Sequence, residues 1–160
     1  MSFIKIQFFI GFLILISGCT SYQDKLSTAK KLENISIETP NTKFNIILKK
    51  HLNRIFNHKH NNVGKFILKS EISFTSSDTL SVSGLNELKS TKATIKYTLV
   101  ELKSSKTVKS GSIVTFPALS ASSSSLYSND VSLEHIKERL SISSAKKLYM
   151  HIKLIIQKLN

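Results

Sequence analysis

The chain has 160 residues and a single cysteine, with 23 lysines and arginines against 10 acidic residues and a formal net charge of +13. One cysteine excludes an internal disulfide framework and a cysteine-based metal site. The charge favours anionic partners, such as lipid head groups, lipopolysaccharide phosphates, peptidoglycan carboxylates or nucleic acid. Only two of the basic residues are arginine, so the alternative is a solvated surface whose lysines reflect AT-rich coding.

The first 18 residues have the pattern of a bacterial signal peptide. Lys5 precedes an apolar run from Ile6 to Ile16, and two small residues then lead to Cys19. In the lipobox that this pattern resembles, the bond before the cysteine is cleaved and the thiol, a soft nucleophile, is acylated. A transmembrane anchor is the alternative, but a span needs about 20 apolar residues. A second alternative is an ordinary signal peptide followed by a buried cysteine.

These features predict a signal peptide over residues 1–18, a lipidated tether over 19–31 and one domain over 32–160. Without Lys5 the mature chain has 22 basic and 10 acidic residues. Acyl chains such as palmitate on Cys19 would attach it firmly to a membrane, and we expect no cofactor besides this covalent lipid. The absence of aspartate after Cys19 favours the periplasmic face of the outer membrane.

The domain begins with a short strand and a helix. Leu32, Ile35 and Ile37 alternate with polar residues and predict the strand. A helix is expected to begin at residues 40–42, where the side chain of Asn41 or Thr42 would accept hydrogen bonds from first-turn amides. Apolar residues then recur at helical spacing before the helix ends near residues 58–64: Phe44, Ile47, Leu48, Leu52, Ile55 and Phe56.

Three further strands are predicted from alternating apolar residues. The first contains Phe66, Leu68, Ile72 and Phe74, and the second contains Ala93, Ile95, Tyr97 and Leu99. A turn-rich connection over residues 76–86 should separate them. After a tight turn at 104–106, a strand over 108–116 should return antiparallel to the second, with Val114 and Phe116 inward.

The last part of the chain predicts a loop and a long helix. Residues 120–130 are serine-rich and should form a mobile loop. Helical spacing then extends to Leu159, through Leu133, Ile136, Leu140, Leu148, Ile152 and Ile155. The predicted fold class is α+β: a two-layer sandwich with an approximately four-stranded mixed or antiparallel sheet and two helices on one face.

Catalytic and metal-binding patterns are weak. His58 and His60, with His51, could hold a metal, but an exposed helix end rich in His, Asn and Lys explains them better. His135 and His151 are expected on a helix surface. Glu134 and Glu138 share a helix face as a carboxylate pair would, although the helix dipole accounts for acidic residues near an amino end. We therefore predict a protein that is not an enzyme, and an exported one without nucleic-acid partners.

The remaining candidate function is binding by a basic sheet face. Because Ala93, Ile95, Tyr97 and Leu99 should face the helices, Lys92 and Lys96 should project from the opposite face, where an acidic amphiphile could bind. The alternative is a solvated face whose lysines protect an edge from aggregation. The candidate ligand-binding residues cluster around one hairpin: Lys89, Lys92, Lys96, Lys103, Lys106 and Lys109.

The ordered set of features resembles the LptE family of lipopolysaccharide-assembly lipoproteins, in particular its alphaproteobacterial branch. The resemblance combines the lipobox at Cys19, the Pro40 helix start, the Lys92–Leu102 strand leading to Lys109–Gly111, and the Ser125–Ser128 segment before the terminal helix. It covers approximately residues 32–159.

This resemblance implies a mixed sheet flanked by two helices, seated in the outer-membrane β-barrel LptD. There the domain would plug the barrel, support its assembly and bind lipopolysaccharide. Lys92 stands where relatives tend to carry arginine. Lysine keeps the positive charge but cannot form the bidentate hydrogen bonds that arginine makes to a phosphate. Three alternatives stay open: a lipoprotein adaptor or auxiliary subunit of another envelope lipid transporter, an enzyme acting on cell-wall or lipid substrates, and a purely structural tether.

Overall fold

The computed structural model describes residues 32, 35–56, 65–80, 87–121 and 126–159. The signal peptide, Cys19 and the tether, all predicted within residues 1–31, lie outside this part of the chain, and so do His58 and His60. In the described part, no helix is both long enough and apolar enough to cross a membrane.

The elements follow the predicted order, with one extra strand. They are β1 (Ile35–Glu38), α1 (Lys43–Ile55), β2 (Phe66–Leu80), β3 (Glu87–Glu101), β4 (Lys106–Val114), β5 (Ala118–Ala121) and α2 (Leu126–Gln157). The sheet order is β1-β2-β3-β4, and β5 pairs with the opposite end of β3. β1 is parallel to β2, as a helical crossover through α1 permits, and the other pairs are antiparallel. The α+β prediction is confirmed.

One core joins the sheet to both helices. On the sheet, Leu68, Ile95 and Leu99 are fully buried, and they share one face because strand side chains alternate. The helices contribute further fully buried residues: Leu48, Leu52, Leu148 and Ile152. Contacts at both ends of α1, Lys43 with Glu134 and Phe56 with Tyr149, show that α1 and α2 lie side by side and run in the same direction.

The central hairpin extends further than predicted. Pairing of β2 with β3 continues from Thr75 opposite Lys92 to Leu80 opposite Glu87, within the region expected to be a connection. Hydroxyl side chains on the two strands can bond to each other: Ser76 Oγ lies 2.9 Å from Oγ1 of Thr91, which is buried opposite it. β5 likewise occupies part of the predicted serine-rich loop.

The inward face of β4 was predicted one residue out of register. Val114 is 50% exposed and Phe116 86% exposed, whereas Ile113 and Thr115 are buried. Ile113 pairs with Ile95, and the Thr115 hydroxyl contacts both the N–H and the carbonyl of Ala93. A one-residue shift moves every side chain of a strand to the other face. At the end of α2, Leu159 was also expected to be buried, but it lies beyond the last helical residue and is half-exposed.

The amino end of α1 differs from the predicted cap. Thr42 is the N-cap residue, but its side chain makes no capping hydrogen bond. Its Oγ1 instead accepts a hydrogen bond from Asn45 Nδ2 at 2.8 Å, while Asn45 Oδ1 accepts from the N–H of Ile72 at 2.9 Å. Asn45 therefore connects α1 to the sheet where β1 has ended and β2 has no strand neighbour on that side.

Candidate functional site

The two faces of the sheet differ in character. The helices cover one face, and among the described residues no element covers the other. On this second face, which we call the open face, Lys96 lies opposite Glu71 on β2 and Ser112 on β4. One pair further along β3, Thr98 lies opposite Lys69 and Ser110. The open face is therefore a polar surface of ammonium, carboxylate and hydroxyl groups on three rigid strands.

A groove of about 730 Å³ crosses this face. Its floor is formed by the middle of β2, β3 and β4, and one wall by the segment that leaves β1. The lining residues are Glu38, Thr39, Pro40, Lys69, Ser70, Glu71, Lys96, Tyr97, Thr98, Ser110, Gly111 and Ser112.

Charges in the groove are partly balanced. Lys69 Nζ lies 3.6 Å from Glu38 Oε2, and both side chains are more than half exposed, so this pair contributes little to stability. Lys96 faces Glu71 across the strand pair. Such a groove offers hydrogen-bond donors for anionic groups and acceptors for hydroxyl groups.

The six lysines chosen from the sequence do not form one face. Lys92 and Lys96 are exposed on the open face, and of the six only Lys96 lines the groove. Lys89 and Lys109 occupy register positions of the helix-facing side, Lys109 opposite Leu99. Lys103 lies in the β3–β4 turn, and Lys106 opens β4 opposite Glu101.

Of the groove-lining residues, sequence reasoning named only Lys96 as a candidate. Those it missed include four polar residues on the strands: Lys69, Glu71, Ser110 and Ser112. The signal for the first two was present, since they alternate with the buried Leu68, Ser70 and Ile72. The two serines lie on β4, whose buried face was predicted incorrectly.

Beneath the groove, Tyr97 joins the sheet to α2. Its Oη lies 2.7 Å from Nε2 of His151, and the two rings meet edge to face with centroids 5.3 Å apart. Burial raises the pKa of the Tyr97 phenol, because desolvation disfavours the phenolate. His151 was predicted on the helix surface and is instead half-buried, because its position on α2 faces the Tyr97 ring.

Gly111 explains how this contact fits. It pairs with Tyr97 across β3 and β4, and a Cβ at this position would lie 3.0 Å from Tyr97 Oη and 3.3 Å from its Cζ. A larger residue would displace the phenol that holds His151. The contact between Tyr97 and His151 is therefore one of those that pack α2 against the strands of the groove, and it requires glycine or a very small residue at position 111.

One acidic residue in the first part of α2 makes a structural contact with α1. Glu134 forms an ion pair with Lys43 of α1, and the hydrogen bond from Lys43 lowers the pKa of the Glu134 carboxyl. Within the described residues, no group of three His, Cys, Asp or Glu side chains is placed to hold a metal ion.

Comparison with solved structures identifies the fold. A candidate lipoprotein from Caulobacter crescentus matches with a TM-score of 0.64 at 12% identity, over 84% of this chain and 98% of the other. Rare lipoprotein B from Shewanella oneidensis matches with a TM-score of 0.61 at 12% identity, over 78% and 97%. A minor lipoprotein from Acinetobacter baumannii gives 0.55 at 12% identity, over 75% and 90%.

All three neighbours are named as lipoproteins, one of them as rare lipoprotein B, and this chain shares their fold over most of its length. They do not single out the alphaproteobacterial branch. No protein-family model and no curated protein matches the sequence.

Proposed function

We propose that this protein is an LptE-like outer-membrane lipoprotein, anchored through Cys19 on the periplasmic side, that binds lipopolysaccharide and plugs and supports the LptD barrel. The observation that carries the proposal is the open face of the sheet, where exposed lysines lie beside a groove on a rigid support. The fold shared with rare lipoprotein B supports it. The role is one of binding and assembly rather than catalysis.

The open face matches an amphiphile in two respects. Lys92 and Lys96 supply ammonium groups for phosphates. Next to them, Val114 pairs with Thr94 and Leu119 pairs with Ser90, which places both on the open face, 50% and 60% exposed. Exposed apolar side chains beside cations give acyl chains a surface that a free sugar phosphate would not use.

The first test measures lipopolysaccharide binding by the full-length protein in detergent, with the glycolipid dispersed below its aggregation threshold. Lys92→Glu/Lys96→Glu should weaken binding about 30-fold, if each lysine contributes about 1 kcal/mol. Lys103→Glu/Lys106→Glu is the matched control, because it changes the net charge equally but lies at the β3–β4 turn. Equal loss in both variants would show non-specific attraction, and no loss in either would contradict binding at the open face.

The partner is tested by affinity purification from solubilised outer membranes, followed by mass spectrometry. A stoichiometric large β-barrel supports the translocon role. Recovery of an inner-membrane transporter would instead favour the adaptor role in another lipid-transport system, and the open face could then still bind an acidic lipid.

A further inference from the structure

The outward side of the helix layer is a second basic surface, on the side of the domain opposite the open face. In α1, Lys43, Ile46, Lys50 and Arg54 follow at intervals of three or four residues and are all exposed. In α2 the exposed outward residues recur at the same spacing: Arg139, Ser143, Lys146, Met150 and Leu154. Residues three and four apart share a helix face, so each helix presents one outward stripe. We call the two stripes together the outer helix face.

This face contains cations without acidic residues over most of its length. No aspartate or glutamate occurs in α1, and those of α2 end at Glu138. From Arg139 onward α2 carries five basic residues, Arg139, Lys146, Lys147, Lys153 and Lys158. Lys147 donates to the carbonyl of Val114 on β4 and so lies beside the sheet, whereas Arg139 and Lys146 belong to the outward stripe. Because α1 and α2 run side by side in the same direction, their acid-free parts are adjacent. The open face, by contrast, mixes lysines with Glu38 and Glu71.

Apolar side chains are interspersed among these cations. Met150 and Leu154 are each 56% exposed, and Ile46 is 50% exposed. No described element packs on them. A helix with basic residues around exposed apolar side chains is the pattern of a surface that lies on a membrane. A nucleic acid or an acidic protein would use the charge but would gain little from Met150 and Leu154.

We propose that the outer helix face docks on the surface of an anionic lipid bilayer, with its ammonium and guanidinium groups at the lipid phosphates and Met150 and Leu154 at the boundary of the acyl region. The open face then points away from the lipid. This inference is independent of the ligand proposed for the open face. It concerns the anchored domain before it is seated in the proposed barrel, because a domain inside the barrel cannot lie on the bilayer surface.

Because the predicted lipid anchor keeps the domain near the bilayer, even a weak attraction of the outer helix face would hold it on the surface. Leu32 is buried in the core, so the twelve residues between Cys19 and Leu32 limit the separation of lipid and domain to about 40 Å. A tether of this length gives a high effective concentration of the domain at the bilayer. Each cation near an anionic surface then increases the ratio of docked to free domain about fivefold.

The test places a fluorophore on the outer helix face of the lipidated protein reconstituted in vesicles. Met150→Cys carries the label, Thr75→Cys on the open face is the control position, and the parent protein shows that acylated Cys19 takes up no label. Vesicles of phosphatidylcholine alone are compared with an equimolar mixture of phosphatidylcholine and phosphatidylglycerol. Spin-labelled lipids in the vesicles quench a label that touches the bilayer.

We expect the fluorescence of the label at residue 150 to be quenched and blue-shifted on the anionic vesicles only. High salt should reverse both changes, because screening weakens the attraction between the domain and the lipid. Lys50→Glu/Lys146→Glu should lower the docked-to-free ratio at least about 25-fold, and Lys92→Glu/Lys96→Glu should leave it unchanged. Quenching at residue 75 instead, equal quenching on neutral vesicles, or equal loss in the two double variants would overturn the proposal.

Discussion

Asn45 offers a sharp test of how the helix layer is attached to the sheet. Its side chain is 3% exposed, and its Oδ1 accepts the N–H of Ile72, which is also buried. β1 pairs with β2 only as far as Lys69, so the Ile72 amide has no strand partner on that side. In Asn45→Ala this amide loses its acceptor while it stays buried.

The expected cost follows from that burial. A buried N–H without an acceptor costs about 1–3 kcal/mol, and alanine recovers about 0.5 kcal/mol through its better helix propensity. The free energy of unfolding should therefore fall by about 0.5–2.5 kcal/mol. For a domain of this size, this corresponds to a decrease in Tm of about 2–9 °C.

Asn53→Ala is the matched control. Asn53 lies on the same helix and is half-buried. Its side-chain amide makes no hydrogen bond within the described residues. The same substitution there should be neutral or slightly stabilising, because only the helix-propensity gain remains. Urea unfolding followed by circular dichroism gives both free energies, and their difference isolates the contact with Ile72.

Amide hydrogen exchange reports on the bond itself. The Ile72 amide should be protected in the parent protein and exchange faster in Asn45→Ala, whereas Asn53→Ala should leave its protection unchanged. If Asn45→Ala is as stable as Asn53→Ala and the Ile72 amide stays protected, Asn45 does not hold α1 on the sheet.

Three other contacts give predictions of known sign. Ser144→Ala should raise Tm by about 2–4 °C, because this buried hydroxyl has no hydrogen-bond partner among the described residues. Ser141→Ala should give no such gain, since Ser141 Oγ donates to a helix carbonyl at 2.8 Å. Gly111→Ala should lower stability by about 1 kcal/mol through its contact with Tyr97, and less in a Tyr97→Phe background, where the phenol oxygen is absent. Absorbance titration should show Tyr97 ionising above the usual pH range of tyrosine. Burial raises the pKa of the Tyr97 phenol in the folded state. The contribution of Tyr97 to stability is therefore complete below the usual tyrosine pKa and declines as pH rises through the folded-state pKa.

Much of the fold could be predicted because the core follows regular spacing. The alternation through Ile95, Tyr97 and Leu99, and the helical spacing of Leu48 and Leu52, specified which faces are buried, and the structure confirms both. The β4 register could not be obtained this way. There Ile113 and Val114 are adjacent and both β-branched, and the choice depends on the pairing of Ile113 with Ile95 and on a bulge near Val100.

The candidate site could be predicted only in part, for a related reason. Alternation places Lys92 and Lys96 on the open face, but the position of each remaining lysine depends on turn geometry and on how far the hairpin extends. The half-buried state of His151 depends on a contact 54 residues away in sequence. A single sequence contains no local signal for such a pairing.

The arrangement of charge distinguishes a functional basic surface from compositional bias. AT-rich coding would account for a high lysine content, but it does not specify where acidic residues occur. The described acidic residues lie on the sheet, its β3–β4 hairpin or the first part of α2, and the acid-free parts of α1 and α2 are adjacent only because the two helices pack in the same direction. Bias alone therefore predicts equal effects when equal charge is reversed on the open face and on the outer helix face. Separate binding surfaces predict that the open-face reversal impairs lipopolysaccharide binding and that the helix-face reversal impairs docking on anionic vesicles.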